Sequence, residues 1–127
     1  MINKFRIKTK EEGFYNITSF VRQTVLESGI REGIAVIFTP ECDGGIVISD
    51  LDQNVLCDEE LALINMDFSR SEYGFVKEPQ VKSMLTGVSQ TVIVTESEPV
   101  LGKNQGVCFA EFNPGDERIF YIKVLRG

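Results

Sequence analysis

Gly33-Ile-Ala-Val-Ile-Phe38 and Gly45-Ile-Val-Ile-Ser49, separated by Thr39-Pro40-Glu41-Cys42-Asp43-Gly44, are the segments whose reading decides the fold. Each outer segment is an uninterrupted apolar run of strand length with several β-branched residues, bounded by glycine. The segment between them gathers proline, aspartate and glycine, the residues of turns. They read as two adjacent buried strands joined by a polar turn.

Working outward toward the N-terminus, Gly29 supplies the left-handed stop of a helix, and Ile30 suits the apolar contact that follows such a stop. Thr18 is placed to cap that helix, and Ile17, Val21 and Val25 recur at i, i+4 spacing on one face. Before it, residues 3–9 alternate as a strand, and Gly13-Phe14-Tyr15 offers a short second strand after the polar turn Lys10-Glu11-Glu12.

Toward the C-terminus, residues 58–66 open acidic and turn apolar, which suits a helix whose positive dipole end favours carboxylates. Residues 67–80 show no period, and a short helix is expected from about Gln80 to Leu85. Three strands close the chain, Thr91–Thr95, Gly106–Phe112 and Arg118–Leu125. They are broken at Glu98-Pro99 and at Asn113-Pro114-Gly115-Asp116, where Pro-Gly predicts a tight hairpin. There is no internal repeat. Strands dominate and helices fall between groups of them without βαβ alternation, so the expected class is α+β, a sheet covered by helices on one face.

At 127 residues the chain fits a single domain, 1–127, large enough to bury a core without disulfides or a structural metal. A hydrophobic share of 43% and a charged share of 25% are those of an ordinary globular protein. The net charge of −6 weighs against nucleic-acid binding, which draws its affinity from Lys and Arg on phosphates. The densest basic stretch, Lys4 to Lys10, alternates as a solvated strand face would. The three cysteines Cys42, Cys57 and Cys108 have no C-x-x-C spacing, which points to a reducing compartment. No run has the length of a membrane span or a signal-peptide core. A cytoplasmic protein that contacts neither membrane nor nucleic acid is expected.

Several stretches in order resemble the YjbQ-like family, whose members are sometimes labelled secondary thiamine-phosphate synthases. They are Gly13-Phe-Tyr-Asn-Ile-Thr18, Glu27-Ser-Gly-Ile30, Gly33-Ile-Ala-Val-Ile-Phe-Thr-Pro40, Lys82-Ser-Met-Leu-Thr-Gly87, Leu101-Gly102 with Gln105-Gly106, and Phe109-Ala-Glu-Phe112. The resemblance implies a mixed sheet flanked by helices, and a homotrimer with clefts between subunits. It also implies an acid-rich polar site containing histidines, whose positions here are Glu41 and Gln80. A third family histidine falls at Phe75, after Tyr73. The chain contains no histidine. The family's Gly-Thr-Trp-Gln stretch reads Gly102-Lys103-Asn104-Gln105, and the segment between Asp50 and Lys82 is shorter than in the family. The resemblance implies a retained scaffold with a rewritten site.

Without histidine, proton transfer near neutral pH would fall to a carboxylate of raised pKa or a lysine of lowered pKa. Glu41 and Asp43 are the catalytic candidates, with Glu78 and Lys103 as candidates to share that work, against the plainer reading of Glu41-Cys42-Asp43-Gly44 as a solvated turn. Cys42, Gln80, Lys82, Lys103 and Gln105 are the candidates to bind a ligand, the lysines suiting a phosphate or carboxylate. Glu41 and Asp43 with Asp50 or Glu78 offer oxygens to a hard cation, but no calcium-loop spacing is present and no metal site is assigned. Cys42 lies between two acids that would raise its pKa, which argues against a nucleophile. Cys108 reads as a small buried side chain, and Cys57 as structural too. Gly44-Gly45 and Thr86-Gly87 lack the spacing of a phosphate loop, and no cofactor is identified. Two readings remain open: a divergent homotrimer that binds a small polar or anionic ligand, or a partner, at its intersubunit clefts; and a carboxylate-based enzyme, with or without a divalent ion, acting on a phosphate-containing small molecule.

Overall fold

The computed structural model describes residues 2–65, 78–115 and 117–127. Met66, the aperiodic stretch as far as residue 77 with Tyr73 and Phe75, and Asp116 lie outside the described residues. The elements in order are β1 (Ile2–Lys8), β2 (Gly13–Asn16), α1 (Thr18–Ser28), β3 (Gly33–Phe38), β4 (Gly44–Asp50), α2 (Gln53–Ile64), α3 (Glu78–Thr86), β5 (Ser89–Thr95), β6 (Glu98–Pro99), β7 (Gln105–Glu111) and β8 (Glu117–Arg126).

The α+β class stands, but the strands form two sheets, β1-β8-β3-β5-β6 and β2-β7-β4. Every strand pairing among the described residues is antiparallel, where the resemblance implied a mixed sheet. This also corrects the expected adjacency of the two apolar runs. β3 pairs β5 and β8, whereas β4 pairs β7 in the other sheet. The reason is the exit from β3: the Thr39 N–H donates to the Val88 carbonyl at 2.9 Å, which continues the β5 ladder and carries the chain across to the second sheet. The expected hairpin at Asn113-Pro114-Gly115 is likewise a crossing, because β7 and β8 belong to different sheets.

The core lies between the sheets. Ala35 and Ile37 of β3, Phe120 and Ile122 of β8, and Val107 and Phe109 of β7 are fully buried, with α1 contributing Val21 and Val25 beside the preceding Ile17. Phe5, Phe20 and Phe120 form an aromatic trio with centroids 5.2–5.6 Å apart. Gly29 ends α1 at φ 71°, as its position required, and Ile30 packs on the core. At the other end of α1 the cap differs from expectation. Asn16 Oδ1 accepts from the Thr18 N–H, which frees the Thr18 hydroxyl to accept from the Val107 N–H at 3.0 Å and pin the helix to β7.

α2 begins five residues before the acidic opening expected at Asp58, because the Asp52 carboxylate accepts from the Asn54 N–H and caps the helix there. α3 lies directly on β4. A Cβ at Gly45 would sit 2.1 Å from Thr86 Oγ1 and 2.7 Å from the Gly87 carbonyl, so Gly45 serves close helix approach, whereas a Cβ at Gly44 would meet the Phe109 ring of β7. The Ile46 N–H donates to that same carbonyl, and Ser83 Oγ to the Gly44 carbonyl. Gly45→Ala is therefore expected to lower the unfolding free energy by about 1–3 kcal/mol in denaturant titration; an unchanged midpoint would mean that α3 gives way freely.

Candidate functional site

Three chain crossings between the sheets meet at one end of the molecule. Thr9 follows β1, residues 39–43 join β3 to β4, and the segment after Glu111 joins β7 to β8. Arg118, the second residue of β8, stands where they converge. Its Nε donates to Glu111 Oε1 at 2.7 Å, its Nη1 to Asp43 Oδ1 at 2.8 Å, and its Nη2 to the Asn113 carbonyl at 2.5 Å. Glu41 Oε1 lies 3.6 Å from Nη1. The other Glu41 oxygen accepts from the Ile119 N–H, while Asn113 Nδ2 donates to Asp43 Oδ2. Thr9 Oγ1 donates to Glu111 Oε1 at 2.6 Å.

Glu111 is the deepest member. Its side chain is fully buried, in a β7 register that places Gly13 on one side and Gly44 on the other. Oε1 takes both Thr9 and Arg118; Oε2 has no hydrogen-bond partner among the described residues. A buried carboxylate is tolerated only beside a cation and hydrogen-bond donors, and Arg118 and Thr9 supply them. Burial works against the charge on Arg118, but the hydrogen bonds and attraction of Glu111 and Asp43 prevail and hold it above its ordinary value. Burial likewise pushes Asp43 up, and hydrogen bonds from Asn113 and Arg118 overcome this and hold it below the ordinary 3.8.

The sequence candidates divide into two groups. Glu41, Cys42, Asp43 and Gln80 lie at the Arg118 end, where Gln80 Nε2 donates to Cys42 Sγ at 3.9 Å. Lys103 and Gln105 lie at the other end of the three-stranded sheet. Gln105 pairs with Asp50 while Glu111 pairs with Gly44, six residues along both strands, a separation of about 20 Å. Gln105 Oε1 accepts from the Gly102 N–H. Lys82 belongs to neither group: it is buried, with Nζ 2.7 Å from the Ile64 carbonyl and 3.1 Å from Glu78, so it satisfies a carbonyl at the C-terminus of α2. Asp50 accepts from the Asp52 N–H. Among the described residues no group of three or more His, Cys, Asp or Glu side chains is arranged to hold a metal ion.

The sequence reasoning missed Glu111, Arg118, Thr9 and Asn113. One signal was present: Glu111 is the only charge in the run Gly106-Val-Cys-Phe-Ala-Glu-Phe112. Cys108 in the same strand is buried as expected, and burial pushes its thiol up.

The chain is similar in sequence and fold to a group of known proteins. The model of the family described as UPF0047 protein YjbQ-like matches residues 3–127. The chain belongs to the YjbQ-like UPF0047 family. A UPF0047 protein of Methanocaldococcus jannaschii, MJ1081, is 36% identical over 98% of this chain and 94% of its own length. YugU of Bacillus subtilis, another UPF0047 protein, is 33% identical over 98% and 99%. A solved structure of an uncharacterised YjbQ/UPF0047 family protein from Clostridium acetobutylicum superposes with a TM-score of 0.89 at 30% identity, covering 97% of this chain and 99% of that one. The family is one of unestablished function.

Removing Arg118 strands a buried carboxylate. Arg118→Met is expected to cost about 3–5 kcal/mol in equilibrium unfolding, and Glu111→Gln in the same chain to recover part of it. The Asp43 pKa is lowered on folding, so its contribution is present above the ordinary 3.8 and is lost as pH falls through the folded value. Stability measured between pH 5 and about pH 2 is thus expected to fall less steeply in Asp43→Asn than in the parent.

Proposed function

We propose that the chain is a non-catalytic, cytoplasmic member of its family, a homotrimer that binds a small polar or anionic ligand at clefts between subunits. The engagement of Asp43 and Glu41 by Arg118 carries this reading. A general acid or base works best with a pKa near the operating pH. Asp43 is instead held ionised by a guanidinium, and Glu41 has one oxygen on the Ile119 N–H. This disposition suits a fixed corner of charges and weighs against the carboxylate-based enzyme of thiamine-phosphate-synthase type. The three free cysteines accord with a reducing compartment. Among the described residues no helix is long and apolar enough to cross a membrane.

Two features support the trimer. The five-stranded sheet turns Ala35, Ile37, Phe120, Ile122, Val92 and Val94 to the core, so the alternate residues face away from it. Across that outer face Ile93 of β5, Ile34 of β3 and Leu125 of β8 stand in one cross-strand row, with Ile93 60% and Leu125 41% exposed. Phe38 and Tyr121 form another cross-strand pair on this face, and Phe38 is exposed. A strand apolar on both faces suits a sheet covered on both. The second feature is the distance of about 20 Å between the candidate groups. Gln80 and Cys42 can share a ligand with Lys103 and Gln105 only if the latter come from a neighbouring subunit.

Light scattering on the purified chain is expected to give three times the monomer mass. A panel of phosphate- and carboxylate-bearing small molecules is expected to include one that raises the melting temperature saturably. Gln80→Ala and Lys103→Ala should each weaken that response without dissociating the trimer. A monomer, or a panel response indifferent to both substitutions, overturns the proposal. Loss of a detectable phosphate-releasing activity in Glu41→Gln and Asp43→Asn would favour the enzyme instead.

A further inference from the structure

α2 is, with β1, an element of the fold in which no residue is buried, although its twelve residues include Val55, Leu56, Leu61, Leu63 and Ile64. Beneath it lies a cleft of about 400 Å³ between the helix and the three-stranded sheet, walled by Phe14 of β2, Val47 and Ile48 of β4, and Ala62 and Leu63 of α2. That volume falls in the range of small-molecule sites, which are apolar clefts with a few placed polar groups. The polar groups here are Ser49 and Glu59. Ser49 Oγ is turned to Cys108 Sγ at 3.6 Å.

Glu59 differs from its neighbour on the helix. Glu60 Oε2 accepts from the Phe14 N–H at 3.0 Å and fastens α2 to β2. Glu59 is half-buried and makes no hydrogen bond or ion pair among the described residues, and no lysine or arginine lines the cleft. Burial first, and then the charges of Glu60 and Glu59, push up the thiol of Cys108, which pairs with the cleft-lining Val47. A carboxylate at the rim of an apolar slot, unmatched by any cation among the described residues, is complementary to a ligand that carries one.

We infer that the cleft under α2 is a binding site for a small organic cation, one with an apolar body seated against Phe14, Val47, Ile48 and Leu63 and an ammonium group on Glu59. The site is independent of the Arg118 corner and of the clefts proposed between subunits. Filling it would bury apolar surface on the helix that the fold leaves uncovered, so ligand binding and α2 docking reinforce one another.

The test uses the full-length chain, labelled for amide NMR, titrated with three probes of similar shape: 2-phenylethylammonium, 2-phenylethanol and 3-phenylpropionate. Saturable shifts confined to Phe14, Val47, Ile48 and residues of α2 are expected with the ammonium probe. Its Kd should be roughly tenfold lower than that of the alcohol, the scale of one charged hydrogen bond, with the carboxylate weakest. Glu59→Gln should abolish the preference for the cation while leaving the alcohol's affinity unchanged, and Ala62→Phe, which fills the slot, should exclude both. Equal binding of the three probes overturns the inference. So does a cation preference that survives Glu59→Gln, or the absence of saturable shifts. Shifts at the same residues that grow with protein concentration alone would assign the cleft to a second copy of the chain and overturn it too.

Discussion

The ion pair between Arg118 and Glu111 joins the two sheets where the chain passes between them three times. A charge as deep as Glu111 would be prohibitive alone, so the guanidinium and the Thr9 hydroxyl are a condition of the β7 register that places it between Gly13 and Gly44. The same guanidinium fixes Asp43 and draws Glu41, which sets the path from β3 to β4. Replacing such a pair by apolar residues can be neutral in energy. What the pair adds is direction: a planar fork accepts carboxylates only where they are, and here they come from two different crossings.

Packing on the far side of β4 follows a different constraint. Gly45 lets α3 approach until the Gly87 carbonyl accepts from the Ile46 N–H of β4, so the helix is held by a backbone hydrogen bond in addition to side-chain contacts. Lys82, buried on α3, satisfies the Ile64 carbonyl and so connects the end of α2 to α3. Among the described residues the other tie on α2 is Glu60 to the Phe14 N–H of β2, and no residue of the helix is buried.

Taken with membership of the UPF0047 family, these features describe a scaffold in which the acidic side chains of the β3–β4 crossing have become part of the framework. Glu41 caps a strand N–H and Asp43 is locked by Arg118 and Asn113. Carboxylates so placed give shape and charge to a surface more readily than they move protons.

The sequence by itself determined the class, the α1 boundaries at Thr18 and Gly29, the helix before Gly87, and the strands β3, β4, β7 and β8 to within a residue or two. These depend on local periodicity, on glycine's access to positive φ and on turn composition, all of which act over a few residues. It also carried the resemblance that placed Glu41 and Gln80 at a common site, and the two do fall at the same end of the molecule. Only the tertiary structure decided that β3 and β4 belong to different sheets, since two apolar runs joined by a turn look alike whether the turn closes a hairpin or crosses between layers. It alone separated Lys103 and Gln105 from Gln80, and it alone brought Thr9, Asp43, Glu111 and Arg118 together across more than a hundred positions of chain. Charge pairing of that kind depends on distance in space, and no local pattern records which carboxylate a buried arginine will meet.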